Sequence, residues 1–217
     1  MNQIRRTEKI VGILFILATA TYMSASIILG KLYESPDYLR HIYPNKIQLI
    51  SAFFLEFINN SAVLGMGVLL FKLLKPYNEN SALWYLIFRI LETIILIISG
   101  LGLLMLLPIS QEYMKTEAVY LQTLGKIARE WHFVAFEIAM FFTGASGLVL
   151  SFLLRLKKLV PVIISIFGIV GYALIFGKSI VDVFGYETNS IMYVPGAIFE
   201  LVFPIWLIIK GLKNKNI

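Results

Sequence analysis

Cysteine is absent from the 217-residue chain, which excludes disulfides, thiolate metal sites, iron–sulfur clusters and a cysteine nucleophile. Histidine occurs only at His41 and His132, too few for a polyhistidine metal centre. Charged residues make up 15% of the chain, against about 25% in a typical soluble domain. Hydrophobic residues reach 59%, against about 45–50% in such a domain, and the mean hydropathy is +0.81. A water-soluble globule of this size has too little interior for that much apolar surface, and a disordered chain is far more polar. The remaining solvent is a bilayer. The net charge of +6 then belongs in cytoplasmic loops and calls for no nucleic-acid partner. No motif calls for a cofactor or a metal.

Six stretches are long and apolar enough to span, at about 10–30, 47–72, 82–107, 131–154, 159–177 and 191–209. Each must be a helix, because a spanning segment has to satisfy its own backbone polar groups. The expected fold is all-α, a six-transmembrane-helix bundle forming one membrane domain over 1–217. The first stretch opens like a signal peptide, with Arg5, Arg6 and Lys9, but its apolar run continues to Leu29 and it reads as a retained helix. Pro195 falls in the first turn of the sixth stretch, whereas Pro204 is interior and should kink it. One set of loops and ends, including Lys215, holds eleven basic residues against two acidic ones; the other set, including Glu187, holds seven of each. The positive-inside rule therefore puts both termini in the cytoplasm of a cell-membrane protein. Outside, residues 31–46 carry Tyr33, Tyr38 and Tyr43, read as headgroup anchors, with a helix start at Ser35-Pro36-Asp37. Residues 110–130 read as an amphipathic helix lying on the outer surface or closing as a lid. The two halves share no motif that would mark an inverted repeat.

Ionisable groups inside spans are expensive and are functional-site candidates by default. They are Glu56 in the second span, Arg89 and Glu92 in the third, Glu137 in the fourth and Glu200 in the sixth. At 1.5 Å per residue, Glu56 and Glu200 lie roughly 15 Å below the outer edge, and Arg89 and Glu92 roughly 12 and 16 Å above the inner one. All four fall near the midplane of a core about 30 Å thick. Asn59 and Asn60 accompany Glu56, and Tyr85 stands one turn before Arg89. The expected arrangement is a midplane cluster of Glu56, Asn59, Asn60, Arg89, Glu92 and Glu200, with Tyr85, His132 and Glu137 secondary. Arg89 would bridge Glu92 to Glu56 or Glu200. Three carboxylates around one arginine leave a surplus that a proton, a cation or water must meet. Glu56, on a different helix from Arg89, is the expected unpaired member. His132 reads as a wet interfacial histidine, and Glu137, five residues on, does not share its helix face. Gly144, Gly147, Gly168 and Gly171 read as close-packing positions, and Lys210 as a snorkelling lysine.

No nucleophile elbow, zinc-protease helix, Walker loop or paired intramembrane aspartates are present. Other runs are more telling: Arg89-x-x-Glu92, Leu159-Val160-Pro161 followed by Gly168 and Gly171, and Pro195-x-x-x-Phe199-Glu200 followed by Trp206-Leu207-x-x-Lys210-Gly211. With Arg5-Arg6, these make nearly the whole chain resemble the bacterial integral-membrane family called domain of unknown function 4386. That resemblance implies a small polytopic protein of the cell envelope and no particular activity. The leading expectation is a non-enzymatic protein that binds or moves a small solute, protons or a cation. The alternatives are an accessory, sensor or immunity-type protein whose charges are structural, and an intramembrane lipid-acting enzyme with a glutamate base. Membrane lipid is the one certain partner, and small-residue faces leave room for a homo-oligomer.

In this cysteine-free chain single cysteines are clean topology probes. Cysteines replacing Asp37, Thr116 or Thr188 are expected to react with an impermeant thiol reagent on intact cells, and those replacing Asn78 or Asn214 are not. Labelling of position 78 from outside would overturn the topology.

Overall fold

The computed structural model describes residues 3–186 and 188–213, so Glu187, Asn214 and Lys215 lie outside the described residues. The chain is helical, with α1 (Gln3–Tyr33), the short α2 (Tyr38–Ile42), α3 (Lys46–Leu74), α4 (Glu79–Thr116), α5 (Val119–Leu156), α6 (Val162–Val183) and α7 (Val194–Ile209). A 3-10 turn, Ser190–Tyr193, leads into α7. Six of these segments are long and apolar enough to cross a membrane. Their outward faces expose Ile13, Phe54, Leu101, Ile163 and Ile205, side chains that only lipid would solvate well.

Each long helix packs on the next in sequence, and α7 closes against α1, so the six spans form a ring in the order α1, α3, α4, α5, α6, α7. Glycines let several seams close. A Cβ on Gly171 would lie 2.5 Å from the Gly196 amide nitrogen, so α6 and α7 touch backbone to backbone. One on Gly147 would fall on the Tyr172 ring, which fixes α5 against α6.

Helices α4 and α5 are 38 residues each, roughly 57 Å long against a hydrocarbon core of about 30 Å. Both overrun the membrane on the side away from the termini. The separate surface helix expected over 110–130 is instead the tip of this hairpin. The chain turns at Glu117, whose φ of 52° is left-handed, and α5 starts at Val119. Seated against the hairpin, α2 takes a hydrogen bond from the Ser110 hydroxyl to the Leu39 carbonyl at 2.5 Å. Arg40 bonds Glu117 at 2.5 Å, and this contact raises the guanidinium pKa above its ordinary value. Tyr33 and Tyr38 sit under Arg129, at 5.8 and 5.1 Å from ring centre to guanidinium carbon. Both rings therefore pack on protein.

The two ends of the chain meet on the opposite face. Arg5 donates from Nη1 to the Leu207 carbonyl at 2.5 Å and from Nη2 to that of Ile208 at 2.6 Å, capping the C-terminus of α7. Buried Glu8 pairs with Arg5 at 3.0 Å and accepts the Leu212 amide at 2.9 Å. Trp206 donates to the Gly211 carbonyl at 3.0 Å, and the Lys213 amide donates to the Leu159 carbonyl at 2.8 Å. Gly211 has φ of 77°, and a Cβ there would strike the Glu8 carboxylate. The basic start of α1 is therefore structural.

Removing the cation from this clasp exposes a buried carboxylate and two helix-end carbonyls. Arg5→Ala is expected to lower stability by about 1.5–3 kcal/mol, the usual range for hydrogen bonds to a charged group. Adding Glu8→Gln should recover part of that loss in thermal denaturation of the detergent-solubilised protein; purely additive losses would refute the coupling.

Candidate functional site

The ring encloses a cavity of about 360 Å³ to which all six spans contribute, among them Tyr22, Asn59, Arg89, Phe136, Ile175 and Glu200. Three of its lining residues are ionisable side chains near the expected midplane: Arg89, Glu92 and Glu200. Arg89 and Glu92 stand three residues apart on α4, and Nη1 of Arg89 bonds both Glu92 oxygens, at 2.9 and 3.1 Å. Both side chains are almost fully buried. The Nε of Arg89 donates to the Tyr85 hydroxyl at 3.2 Å. Nη2 is buried and has no hydrogen-bond partner among the described residues. Gly67 makes room for this arginine, since a Cβ there would stand 3.0 Å from the Arg89 Cβ.

Glu200 comes from α7, across the ring from α4. Its Oε1 accepts the Tyr172 hydroxyl at 3.1 Å, and its charge is felt at Arg89 without a direct bond. The helical ladder is also interrupted here, because Pro204 has no N–H to offer the Glu200 carbonyl. Toward the terminal face the cavity rests on five buried aromatics, Phe15, Tyr85, Tyr172, Phe199 and Phe203. Its mouth lies between α1 and α7, where the lining residues Tyr22, Met23 and Ala197 are exposed. Tyr22 also stacks across the ring on Phe136, at 5.5 Å between centroids.

Glu56 stands apart from this group. Instead of an unpaired place beside Arg89, it meets His132 Nε2 at 3.1 and 3.2 Å. His132 is correspondingly not a wet interfacial residue but a buried one, 6% exposed. The reason is the length of α5: His132 is thirteen residues into the helix, roughly 20 Å from its start, rather than at its mouth. Its Nδ1 is buried without a hydrogen-bond partner among the described residues, and its carbonyl accepts the Ser99 hydroxyl at 2.8 Å. Asn59 lines the cavity and donates to Asn60 at 3.2 Å. Glu137, on another face of α5, accepts the Tyr193 hydroxyl at 3.2 Å and lies 3.8 Å from Lys178. Lys178 is buried and salt-bridged to Asp182, which also accepts the Thr188 hydroxyl at 2.6 Å.

Tyr172, Tyr193 and Lys178 are site residues that the sequence alone did not single out. Tyr172 is the one tyrosine within the fifth apolar stretch, 159–177, which is a visible signal. Lys178 reads as a loop residue in the sequence because α6 runs on past its apolar core, to Val183.

Residues of the sequence runs that carried the family resemblance gather at two places, Arg89, Glu92 and Glu200 around the cavity and Arg5, Leu159, Trp206 and Gly211 at the clasp. The family described as Domain of unknown function (DUF4386) matches residues 10–211. The chain belongs to this family. No curated protein and no solved structure matches it. The DUF4386 match covers all six spans apart from the first turns of α1, and with the six apolar helices it supports a multi-pass membrane protein.

Arg89→Leu leaves the Glu92 charge buried and alone, a change that typically costs about 3–5 kcal/mol. Adding Glu92→Gln is expected to restore much of the loss in thermal denaturation. Adding Glu56→Gln, which lies with His132, is expected to restore none; rescue by Glu56→Gln would place that carboxylate with the arginine after all.

Proposed function

We propose that this is a cell-membrane protein that binds, and by opening alternately to two sides moves, a small solute together with its charge at the Arg89–Glu92–Glu200 cavity. The observation that carries the reading is one carboxylate too many around an enclosed space: Glu92 already neutralises Arg89, and Glu200 faces the same cavity with no cation bonded to it. A buried ionised carboxylate is costly unless a proton, a cation or water answers it. A structural cluster has no need of that residue facing a cavity. The volume of about 360 Å³ falls within the usual range for small-molecule sites, about 300–1,000 Å³. The positive-inside distribution supports an orientation with the termini and the clasp in the cytoplasm. In that orientation the aromatic floor closes the cytoplasmic side and the mouth faces the outer half of the membrane.

The test is chemical access. With the protein in native membranes, cysteines replacing Ala197 at the mouth and Thr143 beside Glu92 are expected to react with N-ethylmaleimide. A cysteine replacing Leu150, which is fully buried between helices, is expected to stay inert. If Thr143→Cys is as inert as Leu150→Cys, no water reaches the carboxylates and the charges are structural, as in an accessory protein.

A further inference from the structure

We infer that the ligand of this cavity is an organic cation of single charge with an apolar, preferably aromatic, body; the inference rests on the binding function proposed above and names its substrate class.

The sign of the charge follows from what is already paired. The positive charge of Arg89 is taken by Glu92 through two bonds, at 2.9 and 3.1 Å. An anionic ligand would have to displace Glu92 or be held beside two carboxylates. Glu200 has the Tyr172 hydroxyl as its direct partner and shares the field of Arg89 with Glu92, so one cation stands against two carboxylates and the lining is short of one positive charge.

The kind of cation follows from the walls. Dehydrated inorganic ions need a cage of about six oxygens, and among the described residues no three His, Cys, Asp or Glu side chains come together in a metal-holding group. The walls of the cavity instead include aromatic rings and thioethers, among them Tyr22, Phe136, Tyr193, Met66 and Met140. Ring faces attract ammonium groups most strongly where water is excluded, and thioethers adapt to apolar bodies of different shape. The buried Nη2 of Arg89 carries N–H groups without a partner. Standing across the cavity from Glu200, it offers a hydrogen bond to a carbonyl, ether or hydroxyl oxygen at the far end of such a ligand. The mouth agrees with this class. It opens between α1 and α7 past Tyr22, Met23 and Ala197, a lip with one polar tip, suited to a molecule that already resides at the membrane surface with its charge outward.

The experiment uses the full chain in detergent and three probes at equal ionic strength: benzyltrimethylammonium, 3-phenylpropionate and sodium chloride. Calorimetry is expected to show saturable binding of benzyltrimethylammonium only. Glu200→Gln should weaken it at least tenfold, while Glu56→Gln, outside the cavity, should leave it unchanged. On the Thr143→Cys chain the same cation should slow maleimide reaction. Binding of 3-phenylpropionate in preference to the ammonium would overturn the ligand class while leaving the cavity as a binding site. A reactive Thr143→Cys that neither organic probe protects would also overturn the class. An unreactive Thr143→Cys would instead sink the binding function itself. The comparison of probes on the native chain does not depend on any variant folding.

Discussion

A guanidinium in hydrocarbon has to be neutralised and hydrogen-bonded on the spot, and much of this molecule follows from how Arg89 meets that demand. Glu92 supplies the charge one turn along the same helix, Tyr85 supplies an acceptor one turn before, and the Arg89 carbonyl accepts the Thr93 hydroxyl at 2.8 Å. Thus α4 carries its own ion pair, which any helix could do only with neighbours that keep lipid away. Gly67 on α3 admits the arginine stem, and α5 brings Thr143 beside Glu92. Burying an ion pair this way is weak evidence for stability gained, since desolvation offsets most of the attraction. Its effect is to fix which face of α4 points inward, and through that the register of its neighbours.

Around that fixed face the ring divides into two kinds of seam. Between α5, α6 and α7 the contacts are made by glycines at backbone distance, with Gly144 against Phe176, Gly147 against Tyr172 and Gly171 against Gly196. Such seams tolerate no added atom and hold Tyr172 where its hydroxyl reaches Glu200. Between α7 and α1 the contact is concentrated toward the termini, at Gly12 beside Pro204 and Ile208, at the Phe15–Phe203 edge contact of 5.7 Å, and at the Arg5 clasp. The cavity mouth occupies the rest of that seam. The helix carrying Glu200 thus packs on α6 along one flank and on α1 chiefly toward the termini.

Membrane residence and the six spans were legible because apolar runs of this length are stable in few surroundings besides a bilayer, and Arg89, Glu92 and Glu200 because charge inside a span is rare. Depth arithmetic grouped these three with Glu56, and Arg89, Glu92 and Glu200 do line one cavity. It gave no azimuth, and Glu56, at the same height, turns toward His132 instead. The partner itself was hidden because the apolar window of the fourth span opens at Trp131, while α5 begins at Val119 with polar turns that hydropathy counts as loop. The same blindness produced a surface helix over 110–130. A one-sided apolar pattern reads alike whether it lies on lipid or on a second helix, and only the left-handed turn at Glu117 separates the two. The clasp was out of reach, since nothing in the spacing of Arg5 and Glu8 announces carbonyls about two hundred residues away.

Ring closure through α7 also sets an order of events during synthesis. Helices leave the ribosome in sequence, so α1 and α6 stand in the bilayer with an open slot between them until the last span follows. During that interval Arg89 and Glu92 are already inserted as a neutral pair, and the side of the bundle that will receive Glu200 faces lipid. Glu200 enters last, and the residues that latch its helix, Leu207 to Leu212 against Arg5 and Glu8, emerge from the exit tunnel after it. Assembly therefore finishes by joining the newest part of the chain to the oldest, and a chain that ends before Gly211 lacks the Leu212 amide that Glu8 accepts.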